Sequence, residues 1–332
     1  MIVVFLLLVV VLFVCVEQYC RRNKKTLLEH LHPDWYKDVT VFPEYAFPPR
    51  VNHTEYKNTI DRGRVQMSNR RVIFAGLCIN IESKVPNLLK RLRHLGGFFK
   101  DYQCVIFEND STDNTRQLLM GCDDRIHLVP CEEEPNCKLK QAMAITHGMF
   151  STGRIKKMTE YRNRLLEHIK KRFSDYDCVC MIDLDIEGPI DIRGIAHSFG
   201  LYNTWDSISA YGLSGSTISL GYASYYDTLA YKDDNFDLGI SKLHILPILF
   251  KTNMYRVGDF PYKVQSGFCG LALYKMNSIR HIDYTPKDDT YVCEHVTLHA
   301  NMIDNGFDRI FINPNMLVLV GAQSDVENLP LY

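Results

Sequence analysis

The chain has 332 residues, with 38 basic side chains against 39 acidic ones and a formal net charge of −1. That balance excludes a whole-chain electrostatic nucleic-acid binder, and 46% hydrophobic with 23% charged residues excludes a disordered chain. Eleven cysteines, 19 glycines and 13 prolines exclude a disulfide scaffold and a collagen-like or low-complexity chain.

From Met1 to Val16 every residue is apolar; Glu17 ends the run, and Arg21, Arg22, Lys24 and Lys25 follow. At about 1.5 Å per residue the run reaches ~24 Å, and continuing to Cys20 brings it near the ~30 Å of a hydrocarbon core. No basic residue precedes the run and no small-x-small cleavage site follows it. Residues 1–20 therefore read as an uncleaved single-pass membrane anchor rather than a signal peptide. The basic cluster after the span places the remainder in the cytoplasm by the positive-inside rule, whereas the sequon Asn52-His53-Thr54 favours an ER or Golgi lumen. A second sequon, Asn109-Asp110-Ser111, lies where a glycan would block a ligand site and points back to the cytoplasm. Residues 21–68 mix Pro, His, Tyr and charge without a period and are expected to form an irregular stem. That leaves 69–332 for one α/β domain.

Residues 71–79 are a short apolar run, as in a strand buried on both faces. Leu88, Leu89, Leu92 and Leu95 recur at helical spacing over 85–95, and Gly96-Gly97 is a stop. A second strand is predicted at 104–107, a helix over 111–120, and a third strand at 126–129. Residues 131–157 read as an insertion with Gly148 and Gly153 as hinges of a loop over the site. Met158, Tyr161, Leu165, Ile169 and Phe173 fall on one face of a helix, and 178–182 is a fourth buried strand. Strands alternating with helices imply a parallel sheet with right-handed crossovers, whose ligands sit at the carboxyl ends of the strands. No G-x-G-x-x-G follows the first strand and no P-loop occurs, which excludes a dinucleotide dehydrogenase and a P-loop NTPase. Cys78, Cys104, Cys178, Cys180 and Cys269 sit in predicted strands as small buried hydrophobes. Cys122, Cys131 and Cys137 fall in loops and could pair in a lumenal domain.

The second strand runs into Glu108-Asn109-Asp110-Ser111-Thr112-Asp113-Asn114-Thr115. Helix capping accounts for Ser111 or Thr112 and for Asp113. Glu108 and Asp110, in the turn before, could accept from a base N–H or from ribose hydroxyls. The fourth strand ends in Asp183-Leu184-Asp185. Residues two apart at a strand end point the same way, so these carboxylates repel unless a cation or proton lies between them. Hard oxygen ligands suit Mg2+ or Mn2+, which keep waters and bridge phosphates. Arg162, beside the apolar face of its helix, would be half-buried and want an anion, either a diphosphate or a structural carboxylate, and Asn163 could orient it. Glu294, His295 and His299 open a helix running to Asn305, with the two histidines on one face.

The 108–115 segment followed by Asp183-Leu184-Asp185 resembles the nucleotide-diphospho-sugar glycosyltransferases of the GT-A fold. Tyr161-Arg162-Asn163-Arg164-Leu165-Leu166 is similar to the Arg-Asn helix of the fungal capsule-associated mannosyltransferase family. Tyr226-Asp227-Thr228-Leu229-Ala230 is similar to that family's Y-D-T segment, and Ser266-Gly267-Phe268-Cys269-Gly270-Leu271-Ala272-Leu273-Tyr274 to its Gly-containing strand. Cys293-Glu294-His295-Val296-Thr297-Leu298 with Gly306-Phe307 resembles the E-D-x-x-L…G-[YF] segment of inverting glycosyltransferases, except that His295 stands where those enzymes carry Asp, their usual base. The capsular mannosyltransferases are a retaining group, so the stereochemical outcome stays open. Glycosyltransferases of large DNA viruses are a further resemblance.

The resemblance spans 71–322. It implies a GT-A α/β fold, a mainly parallel sheet flanked by helices. It implies Mn2+ or Mg2+ on Asp183 and Asp185, with His295 completing the metal shell or acting as base. Glu108, Asp110 and Asp113 would bind the nucleoside end of the donor, Arg162, Asn163 and Asp183 its diphosphate side, and Glu294 would take the acceptor proton. The expected function is metal-dependent transfer of a hexosyl group, of the mannose, glucose or galactose class, from a nucleotide-diphosphate sugar to a glycan or glycoprotein hydroxyl. A sugar nucleotidyltransferase would need a Gly-rich phosphate loop after the first strand, which Gly76-Leu77-Cys78-Ile79-Asn80 does not supply. A non-catalytic glycan-binding protein on the same fold is opposed by the intact Asp183/Asp185 pair.

Overall fold

An apolar run without alternation makes a strand that must be covered on both faces, and β1 (Arg71–Cys78) is such a strand. The structure, a computed structural model, describes residues 38–131, 152–214, 224–234, 255–285 and 292–320. The expected anchor at 1–20, residues 21–37 and most of the expected insertion, with Cys137 and Gly148, lie outside the described residues. Along β1 successive side chains enter opposite cores: Val72 and Phe74 join one, Ile73 and Ala75 the other. The first core is covered by α1 (His53–Ser68), α2 (Val85–Gly96) and α5 (Ile192–Gly200), the second by α4 (Thr152–Arg172) and α7 (Glu294–Asp304).

β1 pairs in parallel with β2 (Asp101–Glu108) and β4 (Cys178–Ile182), and β2 with β3 (Ile126–Pro130). This half is the parallel sheet expected. The other half is mixed. β8 (Leu271–Lys275) runs antiparallel between β4 and β5 (Ser207–Ser214), and β9 (Ile310–Leu319) lies parallel to β5. Two short strands, β6 (Ser224–Tyr225) on β5 and β7 (Tyr262–Lys263) on β9, complete the sheet, whose order is β3-β2-β1-β4-β8-β5-β9-β7. α3 (Thr115–Leu119) and α6 (Met276–Ile279) are single turns.

Three expectations are corrected. Residues 53–68 are a helix packed on the domain and not irregular stem. α1's buried side chains, Tyr56, Thr59, Ile60, Gly63 and Met67, are too mixed in polarity to read as an apolar stripe. Gly63 and Gly200 let α1 and α5 nearly touch: a Cβ on Gly63 would lie 1.6 Å from the Ala196 carbonyl oxygen, and one on Gly200 2.0 Å from that of Thr59. Val39 and Phe42 are buried as well, so the folded domain includes residue 39. The helix expected over 111–120 shrinks to α3, because residues 111–114 are held in a turn described below. Residues 152–157, expected as the end of the insertion, instead open α4, so Gly153 lies in a first helical turn rather than in a loop.

Cys78, Cys104, Cys178, Cys180 and Cys269 are buried free thiols, as expected. Cys131 is disulfide-bonded. Among the described residues no helix is long and apolar enough to cross a membrane.

Candidate active site

Asp183 follows β4 directly, and its N–H donates to the Gly270 carbonyl at 2.9 Å. That contact needs a sharp turn before β8, made by Cys269 and Gly270 at φ 60° and 79°. The left-handed region strains the cysteine and suits the glycine. Leu184 points into the core while Asp183 is half-buried and Asp185 exposed, the alternation expected of a strand end. Tyr226, arriving after β6, donates its hydroxyl to Asp183 Oδ2 at 3.4 Å.

Arg162 crosses to this point from the middle of α4. It is 4% exposed, donates Nε to Glu294 Oε1 at 2.8 Å and places Nη2 4.0 Å from Asp183 Oδ1. Its Cζ sits 5.2 Å from the centroid of the Phe268 ring. One guanidinium thus joins the end of β4 to the start of α7, and its Nη1 has no hydrogen-bond partner.

 Of the two partners open to a half-buried arginine there, a diphosphate or a structural carboxylate, the carboxylate is already in place.

The charges do not balance. Burial pushes Asp183 up to about 8; Arg162 opposes the shift, while Asp185, Asp227 and Glu294 add to it by repulsion. Burial and then Glu294 push Asp227 up to about 6, with the backbone N–H groups of Ala230 and Cys269 holding it partly down. Asp227 also stands at φ 66°, a strained backbone for a non-glycine residue. Asp183, Asp227 and Glu294 therefore share one arginine. A divalent cation would relieve this excess, and the hard oxygens of Asp183 and Asp185 suit Mg2+ or Mn2+. Among the described residues no three His, Cys, Asp or Glu groups gather to hold a metal. The aspartate pair would then supply two carboxylates and leave the other positions to phosphate oxygens and water.

The remaining predicted residues divide. Glu294 is 7% exposed, with Oε1 taken by Arg162 and Oε2 3.5 Å from Cys293 Sγ. His295 is 2% exposed, its ring lies flat on Phe268, and neither ring nitrogen has a hydrogen-bond partner. Burial, with Arg162 nearby, pushes its pKa well below the ordinary histidine value. Among the described residues it is not gathered into a group of metal-ligating side chains. His299 is tied to the hydroxyls of Ser207 and Ser266 at 3.3 and 3.0 Å, so the i, i+4 pair is not a metal pair. Asn163 is corrected: its amide donates to the Tyr284 carbonyl and accepts the Tyr284 N–H, both at 2.8 Å, and so does not orient Arg162.

The acidic segment after β2 is knitted to itself and to the loop after β1. Glu108 is fully buried, paired with Arg116 Nε, and accepts the Ser111 N–H at 2.6 Å. Asp110 Oδ1 pairs with Arg116 Nη2 at 2.8 Å. Asp113 accepts the N–H groups of Thr115 at 3.0 Å and Glu82 at 3.1 Å, so both its oxygens serve the turn. Asn80 accepts the Thr112 N–H at 2.7 Å, and Glu82 grips Asn114 through backbone and side chain. These acids first build a rigid loop at the carboxyl edge of β1 and β2.

Sequence reasoning missed Arg116, although a lone arginine closely following three acids was a usable signal. It also missed Arg91, which is 1% exposed and donates Nη2 to the carbonyls of Ile186 and Gly188 at 2.8 and 2.9 Å. Burial lowers its pKa to about 10. With Lys84, which pairs with Glu187 at 2.9 Å, it holds the loop just after Asp185. An arginine among Leu88, Leu92 and Leu95 was the visible sign.

A family model described as Cryptococcal mannosyltransferase 1 matches residues 71–298. A search of curated protein sequences found no match. Similar solved structures include the mannosyltransferase PcManGT from Pyrobaculum calidifontis in complex with GDP-Man and Mn2+, at 12% identity and TM-score 0.45, covering 81% of this chain and 67% of that one. Glucosyl-3-phosphoglycerate synthase from Mycobacterium tuberculosis, in complex with Mn2+, UDP and phosphoglyceric acid, is 12% identical at TM-score 0.43, covering 79% and 73%. S. aureus TarS 1-349 in complex with UDP-GlcNAc is 11% identical at TM-score 0.44, covering 79% and 62%.

Proposed function

The chain belongs to the Cryptococcal mannosyltransferase 1 family of glycosyltransferases, and from that premise we propose that it moves a hexosyl group from a nucleotide-diphosphate sugar to a glycan or glycoprotein hydroxyl. Mannose is the sugar the family's description favours. The observation that carries the reading is Arg162 shared between Glu294 and Asp183 at the carboxyl end of β4, amid more negative charge than it can balance.

Asp183 and Asp185 would hold Mn2+ or Mg2+, which as a Lewis acid stabilises a leaving diphosphate. The protein's own groups do the rest. Arg162 fixes Glu294 by a charge-assisted hydrogen bond and keeps Nη1 free for a donor oxygen. Glu294 is proposed as the proton acceptor for the incoming hydroxyl, through Oε2, since Oε1 is taken. Asp227 faces the same charges and is half-exposed, placed to accept from a hydroxyl of the sugar. The loop of Glu108, Asp110 and Asp113 forms the wall proposed to receive the nucleoside.

Residues 1–20 are proposed as a single-pass membrane anchor, and the disulfide at Cys131 supports a lumenal domain. The test of the activity is hydrolysis and transfer across GDP- and UDP-sugars, with Mn2+ and with excess chelator. We expect turnover of one donor class, lost in chelator and restored by Mn2+. Turnover of none, or full activity in chelator, would overturn the reading.

A further inference from the structure

His295 is where this chain departs from the E-D segment it resembles, and its surroundings suit neither a base nor a ligand. The ring lies on Phe268 with centroids 3.9 Å apart and planes 13° apart, while Tyr284 meets it edge-on at 6.0 Å. A base must reach a proton and a ligand must share its ion with other side chains, yet the ring is 2% exposed between Phe268 and Tyr284, and among the described residues no group of metal-ligating side chains includes it. What the ring does touch is the support of Arg162. Phe268 carries the guanidinium over its face at 5.2 Å. Glu294 Oε1 lies 3.7 Å from His295 Nε2 and 2.8 Å from Arg162 Nε.

We infer that His295 is a positioning residue, whose flat ring backs Phe268 and so holds Arg162 against Glu294 and Asp183. This rests on the proposed transferase reading. The chemistry of the position follows. An aspartate would add a carboxylate beside Glu294 and leave Phe268 without its stacking partner. The useful property is a plane, for which stacked aromatic pairs have a preferred geometry, and not a lone pair.

The test compares His295→Phe, which keeps the plane and removes both nitrogens, with His295→Leu, which keeps apolar volume and removes the plane. Each is made in the full chain, and kcat, donor KM, half-saturating Mn2+ and the urea unfolding midpoint are measured. We expect Phe to keep kcat within about threefold and Leu to lose roughly tenfold or more, the scale of a lost stacking contact and a misplaced catalytic group. Half-saturating Mn2+ should be unchanged in both. A Phe variant that folds and is as inactive as Leu, or that needs tenfold more Mn2+, would overturn the inference. A readout independent of turnover separates this from a failure of the functional reading. In urea unfolding, Arg162→Met and His295→Leu should be non-additive, as expected of side chains sharing one support. Simple additivity would remove the positioning role even in an active enzyme.

Discussion

Replacing Arg162 with methionine keeps an unbranched apolar stem and removes the guanidinium. Glu294, its side chain 9% exposed, loses the 2.8 Å donor at Oε1. Breaking a buried pair from one side strands the other charge and costs about 3–5 kcal/mol. Asp183 also loses the one group opposing the repulsion from Asp185, Asp227 and Glu294, which places the loss towards the upper end. At about 2–4 °C per kcal/mol for a domain of this size, the melting midpoint should fall by roughly 10 °C or more. Adding Glu294→Gln removes the stranded charge, so the double variant should regain about 2 kcal/mol over Arg162→Met. Its activity should not return. The assay is urea unfolding of the wild type, both single variants and the double, with donor hydrolysis measured alongside. If Arg162→Met unfolds at the wild-type urea concentration, or the double variant is no more stable than it, the pair is not a buried, mutually compensating one.

Asp183→Asn should abolish metal-stimulated hydrolysis without lowering the unfolding midpoint at neutral pH, because the folded site disfavours the charged carboxylate; calorimetry showing equal Mn2+ affinity in the presence of nucleotide diphosphate would refute it. Burial lowers His197 and His299 from 6.5 to about 4. Their folded pKa values lie below the unfolded ones, so stability is complete above pH 6.5 and falls between 6.5 and 4, by up to about 1.4 kcal/mol per pH unit for each proton. A His197→Phe variant should show a shallower loss of stability over that window, and an unchanged slope would count against the assignment. Asn163→Ala should cost about 1–3 kcal/mol by unpairing the Tyr284 backbone, with donor KM unchanged; a tenfold rise in KM would return Asn163 to the donor site. Carbonate extraction should leave the full chain in the membrane pellet, and recovery in the supernatant would sink the proposed anchor.

The strands were legible where burial on both faces leaves an unbroken apolar run, as after Arg71 in β1, at 104–107 within β2 and throughout β4. The acid pair was legible because a strand end projects alternate residues together. Arg162 could be placed beside an anion from the helix face it borders, but its partner could not, since Glu294 is 132 residues away. α1 escaped because Thr59 and Gly63 serve the interface by being small, and smallness has no hydrophobic period. Asp227 reaches the site because β6, which it follows, pairs with the end of β5 and so brings it to the Cys269 backbone N–H, a pairing no local pattern encodes. Asp113 shows the opposite limit. Capping and ligand binding call for the same residue in the same place, and only the hydrogen bonds to Thr115 and Glu82 reveal which duty it already performs.

The contact of α1 with α5 bears on where this protein can be cut. A soluble version started at residue 69, where the first apolar run begins, would lift α1 away and take Tyr56, Ile60 and Met67 out of the core. Each large apolar side chain withdrawn forfeits about 1.5–3 kcal/mol. The surface uncovered on α5 and the sheet would be a contiguous apolar patch of the kind that drives self-association. Because Gly63 and Gly200 bring the two backbones together, no side chain from another helix could refill the groove without a different spacing. A chain started at residue 38 retains the helix and the interlock, and is the shorter form expected to remain dispersed in solution.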